Sequence, residues 1–480
     1  MKKRILNQTT VVTFVFFFLL FGCFSNHYER TEDFQFLWKV GDLPKAELEA
    51  QRLAQSGPKR DRMLYYLEQG SVARMQGSTH SSIVALQAAS REYERWYGSH
   101  LRTETRVSEE FLSIVSSPET KPYKSRIYER AMLRMYQAHN YLLAGEKGLA
   151  RAAIFKTRQA IEDAKDLWRE ELKRAHEENQ KRKINLEKTL THLKSSVQYS
   201  EQMEKVRSLV PPNFPKFVNP ATLYFEALYF LHGGSQQEDF NKAEYSLRLL
   251  ASLFPDNRWI QEDYRLAKQS AKPSVSSTYV FMETGRAPVR VEKRIDLPIF
   301  FFSSTSRIPY LGIALPTLKI NDHFLQNLDV FHTRDISKLQ TTKPLSDIDS
   351  IVAQEFEHFY DLELAQAIAG GIAKGGIQYL ATNSVRGESD LTKSVVGAGV
   401  GMLSQLNTRA DLRSWSTLPK QIRFCKIDTP SDRKLTLRGT GTNLSTVVNL
   451  KKGKTQLVWV RSVSEFTPLR VVGVCNLSQI

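Results

Sequence analysis

The chain has 480 residues, 41% hydrophobic and 25% charged, with a formal charge of +16 and only 3 cysteines. This composition lies in the globular range, which excludes disorder as the default, and the length calls for at least two hydrophobic cores. The positive charge points to an anionic surrounding, for which nucleic acid, lipid head groups and cell-wall polymers all qualify.

The first residues decide among these. Lys2, Lys3 and Arg4 precede an apolar run, Val11 to Phe21, that is shorter than the ~20 residues of a bilayer span and reads as a secretory signal. The run ends in Leu20-Phe21-Gly22-Cys23, which resembles a bacterial lipobox, with Cys23 as the acylated residue; the alternative is an ordinary cleaved signal followed by an unrelated cysteine. Residues 1–22 are then the signal peptide and 23–41 a lipidated tether, polar over His27 to Glu32. Cleavage leaves about +13 on the mature chain. Export removes nucleic acid as a partner. Phe24 after the cysteine, in place of Asp, favours the periplasmic face of the outer membrane over inner-membrane retention.

From residue 42 the chain reads as helices. Asp42-Leu43-Pro44 is a helix start that closes at Gly57, and Arg62 to Gln76 and Ser78 to Tyr97 follow with apolar residues at helical spacing around Gly77. Ile127 to Ala160 forms a second helical pair joined at Gly145. The two glycines lie about 68 residues apart, two periods of about 34, with small residues at the expected crossings (Gly70, Ala73, Ser82 and Ala89; Ala138 and Ala150). Between them Val115 to Tyr123 reads as a loop, and a third match spans Thr222 to Pro255 around Ala227 and Ala243. The expectation is an irregular tetratricopeptide-like array over 42–271; ordinary helical hairpins, which also place small residues at their crossings, are the alternative. Residues 151–209 contain no proline and read as one long charged helix, packed along the array or projecting as an arm, with Lys181-Arg182-Lys183 as a solvated face. Val210 to Pro220 ends it.

After Lys272 the period changes, so 272–480 is expected to form a separate mixed α+β domain. Strands are predicted in SSTYVFMETGRAPVRVEKRIDLPIFFFSS, YLGIALPTLKI, IRFCKI, KLTLRG, TQLVWVRS and RVVGVC, with a Gly-rich helical pair over 347–412 on one side of them. Cys425 and Cys475 lie in two of these strands and either pair as a disulfide or remain buried thiols.

Tyr128 to Ala160, together with TYVFMETGRAPVRVEKRIDLPI, GIALPTLK and RADLRSWSTLP, resembles a family of uncharacterised bacterial envelope lipoproteins with tetratricopeptide-like N-terminal halves. The resemblance covers roughly Leu64 to Pro419. It implies an envelope protein acting beside other lipoproteins, and it supplies no catalytic residue and no ligand.

Motifs that could carry chemistry are incomplete. AGGIAKGG (Ala369 to Gly376) lacks the spacing and the hydroxyl residue of a phosphate loop, and in VVGAGVG the glycine at 401 arrives one residue early for a dinucleotide fingerprint. Gly371/Gly375 and Gly397/Gly401 instead favour close helix packing over a membrane hairpin. Gln354 to Glu363 gathers Glu355, Glu357, His358 and Asp361, yet position 362 is Leu, so the second histidine of a helical zinc motif is missing and an exposed charged helix start is expected. His139 reads as a repeat residue, and no Ser stands in G-x-S-x-G. No catalytic, cofactor-binding or metal residue is therefore assigned. The leading expectation is a non-catalytic, lipid-anchored scaffold whose helical array binds another envelope protein. Binding of an anionic polymer, peptidoglycan or lipopolysaccharide, through the net charge and Lys451-Lys452-Gly453-Lys454 is the second, and an enzyme with a spatially assembled site the third.

Overall fold

The computed structural model describes residues 27–97, 119, 121–181, 191, 194–212, 214–298, 310–334, 337–384 and 410–479. Helices dominate as far as Lys268 and strands thereafter, an α half followed by an α+β half.

The first helix, α1 (His27–Val40), occupies the segment expected to be a tether. Its polar sequence hides a narrow apolar face: Thr31, Phe34 and Trp38 are buried against α2 (Leu43–Ser56), α3 (Arg62–Met75) and Val463. Asp42 caps α2, accepting a hydrogen bond from the Lys45 N–H at 3.4 Å. α3 and α4 (Thr79–Tyr97) turn at Gly77, and α5 (Ile127–Ala144) and α6 (Lys147–Lys181) at Gly145. Both glycines are left-handed, with φ of 78° and 80°, and the residue after each donates back to the helix, Ser78 to Ala73 O and Glu146 to Tyr141 O. At the first crossing Gly70 lies directly against Leu86, and the Ser82 hydroxyl donates to Gly70 O at 2.7 Å.

The long charged helix does not run through to residue 209. Ser196 starts a new helix, α7 (Val197–Arg207), by accepting from the Tyr199 N–H, so the chain turns there. α6 and α7 both pack on α11 (Ile348–Ser384), where Ala164, Trp168, Met203, Val206, Phe356 and Phe359 form a core of their own. Between them in sequence come α8 (Pro220–Leu228, extended by a π turn over Tyr229–Gly233), α9 (Gln237–Leu253) and α10 (Arg258–Lys268).

The strands are β1 (Ser277–Thr284), β2 (Val289–Pro298), β3 (Tyr310–Lys319), β4 (Leu328–His332), β5 (Lys338–Thr341), β6 (Lys343–Asp347), β7 (Gln421–Asp428), β8 (Lys434–Gly439), β9 (Ser445–Asn449), β10 (Thr455–Ser462) and β11 (Arg470–Asn476). A five-stranded sheet runs β11-β10-β1-β7-β6, a four-stranded sheet β5-β4-β8-β9, and β2 and β3 form a ribbon against α11. β1 and β10 are parallel and β1 and β7 antiparallel, with Phe281 opposite both Trp459 and Phe424. Every residue of β1 and β10 is buried. On one face Tyr279, Phe281 and Trp459 meet Tyr224, Phe225 and His139 of the helices. On the other, the Thr284 hydroxyl donates to Leu325 O, just before β4, and Arg423 donates to Asn327.

Two expectations therefore change. The helices covering the main sheet come from the N-terminal half rather than from 347–412, of which α11 lies on the ribbon, residues 410–412 are non-helical, and Gly397 and Gly401 fall outside the described residues. One hydrophobic core also runs from Met63 through Leu477, so 272–480 is not a separate domain. Because each half supplies the other's core, 27–271 and 272–480 expressed separately are expected to lack fixed tertiary structure by near-UV circular dichroism and amide dispersion; an independently folded 272–480 fragment would contradict the shared core.

Candidate functional site

Buried carboxylates cost several kcal/mol unless donors surround them, so where they gather the fold has been built around them. Three such places lie on the seam between the helices and the strands.

The first is a strap, Ala410–Lys420, threaded between α1, α3 and α5. Glu68 of α3 accepts from both residues of one dipeptide: its Oε1 takes the Ser416 N–H at 2.8 Å and hydroxyl at 2.6 Å, and its Oε2 the Thr417 N–H at 3.1 Å and hydroxyl at 2.6 Å. Trp415 donates its backbone N–H to Glu129 at 2.8 Å and its indole N–H to Ser71 and Thr417 at 2.9 Å. Glu129 also receives the Tyr123 hydroxyl and the Arg126 N–H. Arg413, 1% exposed, forks between Asp411 at 2.7 Å and Asp61 at 2.8 Å, and Arg30 reaches Asp61 from α1.

The second centres on Glu283 of β1. It receives the Trp459 indole N–H at 2.7 Å, pairs with Arg74 of α3 at 3.0 Å and has Arg461 at 3.7 Å. Arg74 lies 4.1 Å over the Tyr136 ring and approaches His139 Nδ1 at 3.5 Å. Burial, then Arg74, holds His139 well below the ordinary imidazole range, hence neutral. The third centres on Asp263 of α10, which accepts the Tyr224 hydroxyl at 2.7 Å, the Tyr279 hydroxyl at 2.9 Å and Lys426 Nζ at 2.9 Å. His232 continues the chain to Tyr279 and Thr455; burial, Lys426 and Lys272 push it down to about 3.

The acidic run on α11 is likewise consumed, and part of it is not the exposed helix start expected. Glu355 is buried and caps α5 from outside, accepting the Ile127 N–H at 3.0 Å and the Tyr128 N–H at 3.1 Å. Glu357 pairs with Arg207, Asp361 with Lys194, and Glu363 with Arg126 and Arg290. His358 lies edge-on to Phe217. Among the described residues no group of three His, Cys, Asp or Glu is arranged to hold a metal ion. An open depression of about 700 Å³ lies away from the seam, on α7 beside Lys194, Tyr199 and Arg207.

Cys425 and Cys475 do not pair. Both are free and buried, on β7 and β11, with β1 and β10 between them. Three strand spacings amount to about 14 Å, whereas a disulfide needs Cα atoms about 4.4–6.8 Å apart. Their register partners Val280 and Leu457 also point to opposite faces. Lys451, Lys452 and Lys454 are exposed on the β9–β10 loop. Cys23 and Arg182-Lys183 fall outside the described residues, and among those residues no helix is long and apolar enough to cross a membrane.

Glu68 and Glu283 carried no sequence signal, since each stands alone among mostly apolar residues, and Asp263, beside Glu262 in a charged helix, is not distinguished in sequence from its solvated neighbours; the strap was visible only as a motif.

Arg413→Met leaves the buried Asp61 and the half-buried Asp411 without their main cation and should cost about 3–5 kcal/mol in chemical denaturation. The Glu68 carboxyl is pushed up to about 7 by burial, with the Ser416 and Thr417 donors holding it back. Its unfolded value is about 4.3. The folded chain thus retains a proton there that the unfolded chain has lost, so this group's stabilisation is present at low pH and lost as pH rises through about 7. Glu68→Gln, which cannot titrate, should therefore cost less at pH ~8 than at pH ~5; the opposite trend in paired denaturation curves would refute that assignment.

Comparison with family models, with curated proteins and with solved structures gives no match to this chain.

Proposed function

We propose that this chain is a lipid-anchored cell-envelope adaptor, held through Cys23 at the periplasmic face of the outer membrane, that binds another envelope protein with its tetratricopeptide-like helical half. The signal and lipobox support the location, and the paired hairpins at Gly77 and Gly145 support the repeat reading. The groove such hairpins offer a ligand is filled here by β1, β7 and β10. A partner must therefore use the outer face.

One observation carries this reading. On the outer side of α6 and α9, Phe155 and Tyr245 are 46% and 63% exposed, each beside cations: Arg151 and Lys242 lie 5.1 Å from the Phe155 ring, and Arg158 lies 4.7 Å over Tyr245. Aromatic side chains with arginine are the composition of interface hot spots, and an intramolecular cation holds each ring in place, which lowers the entropy lost on docking. The seam carboxylates Glu68, Glu283 and Asp263, by contrast, already have donors inside the fold. A second reading, binding of an anionic envelope polymer, is favoured by the exposed lysines 451, 452 and 454.

Pull-down of the acylated chain from cross-linked cells is expected to recover a partner that Phe155→Ser/Tyr245→Ser loses by at least about tenfold, with unchanged thermal stability. Acyl label should disappear in Cys23→Ser. Equal recovery by the double variant would remove this surface as the partner site, and equal label would refute the anchor.

A further inference from the structure

Every buried arginine on the seam has its charge matched. Arg74 faces Glu283, Arg126 and Arg290 share Glu363, and Arg413 lies between Asp61 and Asp411. Arg130 on α5 breaks the pattern. It is 1% exposed, its guanidinium forms no ion pair or hydrogen bond among the described residues, and its Nε and Nη1 are sealed from solvent without a partner. Its carbon Cζ lies 3.4 Å over the centroid of the Tyr93 ring. Stacking satisfies the flat face of a guanidinium and leaves the N–H groups at its rim directed outward in the plane.

One turn further along the same face stands Arg134, half-buried, with Nη1 donating to Gln137 Oε1 at 3.0 Å and Nε sealed and unpartnered. Two cations at i and i+4 repel, and neither has a carboxylate within ion-pair distance among the described residues. The nearest acids act only through space: Glu94, and Asp163, whose Oδ1 accepts from Gln159. Burial, together with Arg134, pushes Arg130 down to about 10. The fold thus holds two guanidiniums together, one at the base and one nearer the surface, at a cost it avoids elsewhere.

We propose that Arg130 and Arg134 form an oxyanion-binding notch in the angle between α4 and α5, in which a phosphate or carboxylate group is gripped by the rim N–H groups of Arg130 and by Arg134. A planar or tetrahedral oxyanion accepts from two guanidinium N–H groups at once and cancels the repulsion between the two arginines. The assignment is independent of the adaptor reading, since it rests on Arg130 and Arg134 of α5 and on none of the residues of the Phe155 and Tyr245 surface.

Thermal unfolding of the full chain tests it, in sodium chloride against sodium phosphate and sodium acetate at matched ionic strength. Phosphate or acetate should raise the midpoint saturably, because an anion bound only by the folded state stabilises it; which salt acts identifies the oxyanion. Arg134→Gln should weaken the apparent affinity about tenfold, and Arg130→Met should abolish the response. Arg130→Met also checks folding, since replacing an unmatched buried charge by an apolar chain should leave stability in chloride equal or higher. No saturable shift in either salt, or a shift undiminished in both variants, would overturn the proposal.

Discussion

Glu283 is the point on which the rest of the structure depends. Its carboxylate sits near the C-terminal end of β1, on the face turned toward the helices, out of reach of water. A charge in that position has to be answered by donors, and the answer comes from three directions: the Trp459 indole on the neighbouring strand, Arg461 on the same strand, and Arg74 from α3. Arg74 in turn lies on Tyr136 and against His139, which sets α5. One carboxylate therefore fixes the parallel β1–β10 pair and two helices of the N-terminal half together. Apolar contact alone would let helices slide across a sheet; a charge with directed donors admits a single register.

The same logic explains why the described helices of the N-terminal half close onto the sheet. The hairpins at Gly77 and Gly145 resemble stacked repeats, but repeats in a solenoid bury apolar surface only against their neighbours. Here Tyr224, Phe225, His139 and Trp259 are turned toward Phe281, Phe424 and Trp459, so the sheet takes the place of a ligand. The strap completes the closure, since Trp415 packs edge-on to Tyr136 while Ser416 and Thr417 hold Glu68.

Local signals were legible and long-range ones were not. The left-handed glycines at 77 and 145, the Asp42 cap and the β-branched runs of β1, β7, β8, β10 and β11 could all be read because each depends on neighbours in sequence. α1 was hidden because only His27, Thr31, Phe34 and Trp38 face inward amid charged residues. β4, β5, β6 and β9 are 4 or 5 residues long, and β6 contains Pro344, so none presents a clear alternation. The break after α6 had a signal in Ser195-Ser196, outweighed by the surrounding helix formers. The carboxylate hubs were illegible because their partners come from distant segments: 348 residues separate Glu68 from Ser416 and 209 separate Arg74 from Glu283.

Burial also changes what the net charge means. Eleven acidic residues but eight basic ones are buried among the described residues. Carboxylates go inside because they accept the N–H and O–H donors that helix starts, straps and tyrosines present, as Glu68, Glu355 and Asp263 do. Lysines and arginines on the surface thereby lose acids that the composition counts against them. The exposed surface is more basic than the overall charge implies, which raises the local potential around cations such as Arg158 and Lys454 and favours anionic groups on whatever approaches them. The fold's internal demand for carboxylates is thus one physical source of the surplus of cations on its surface.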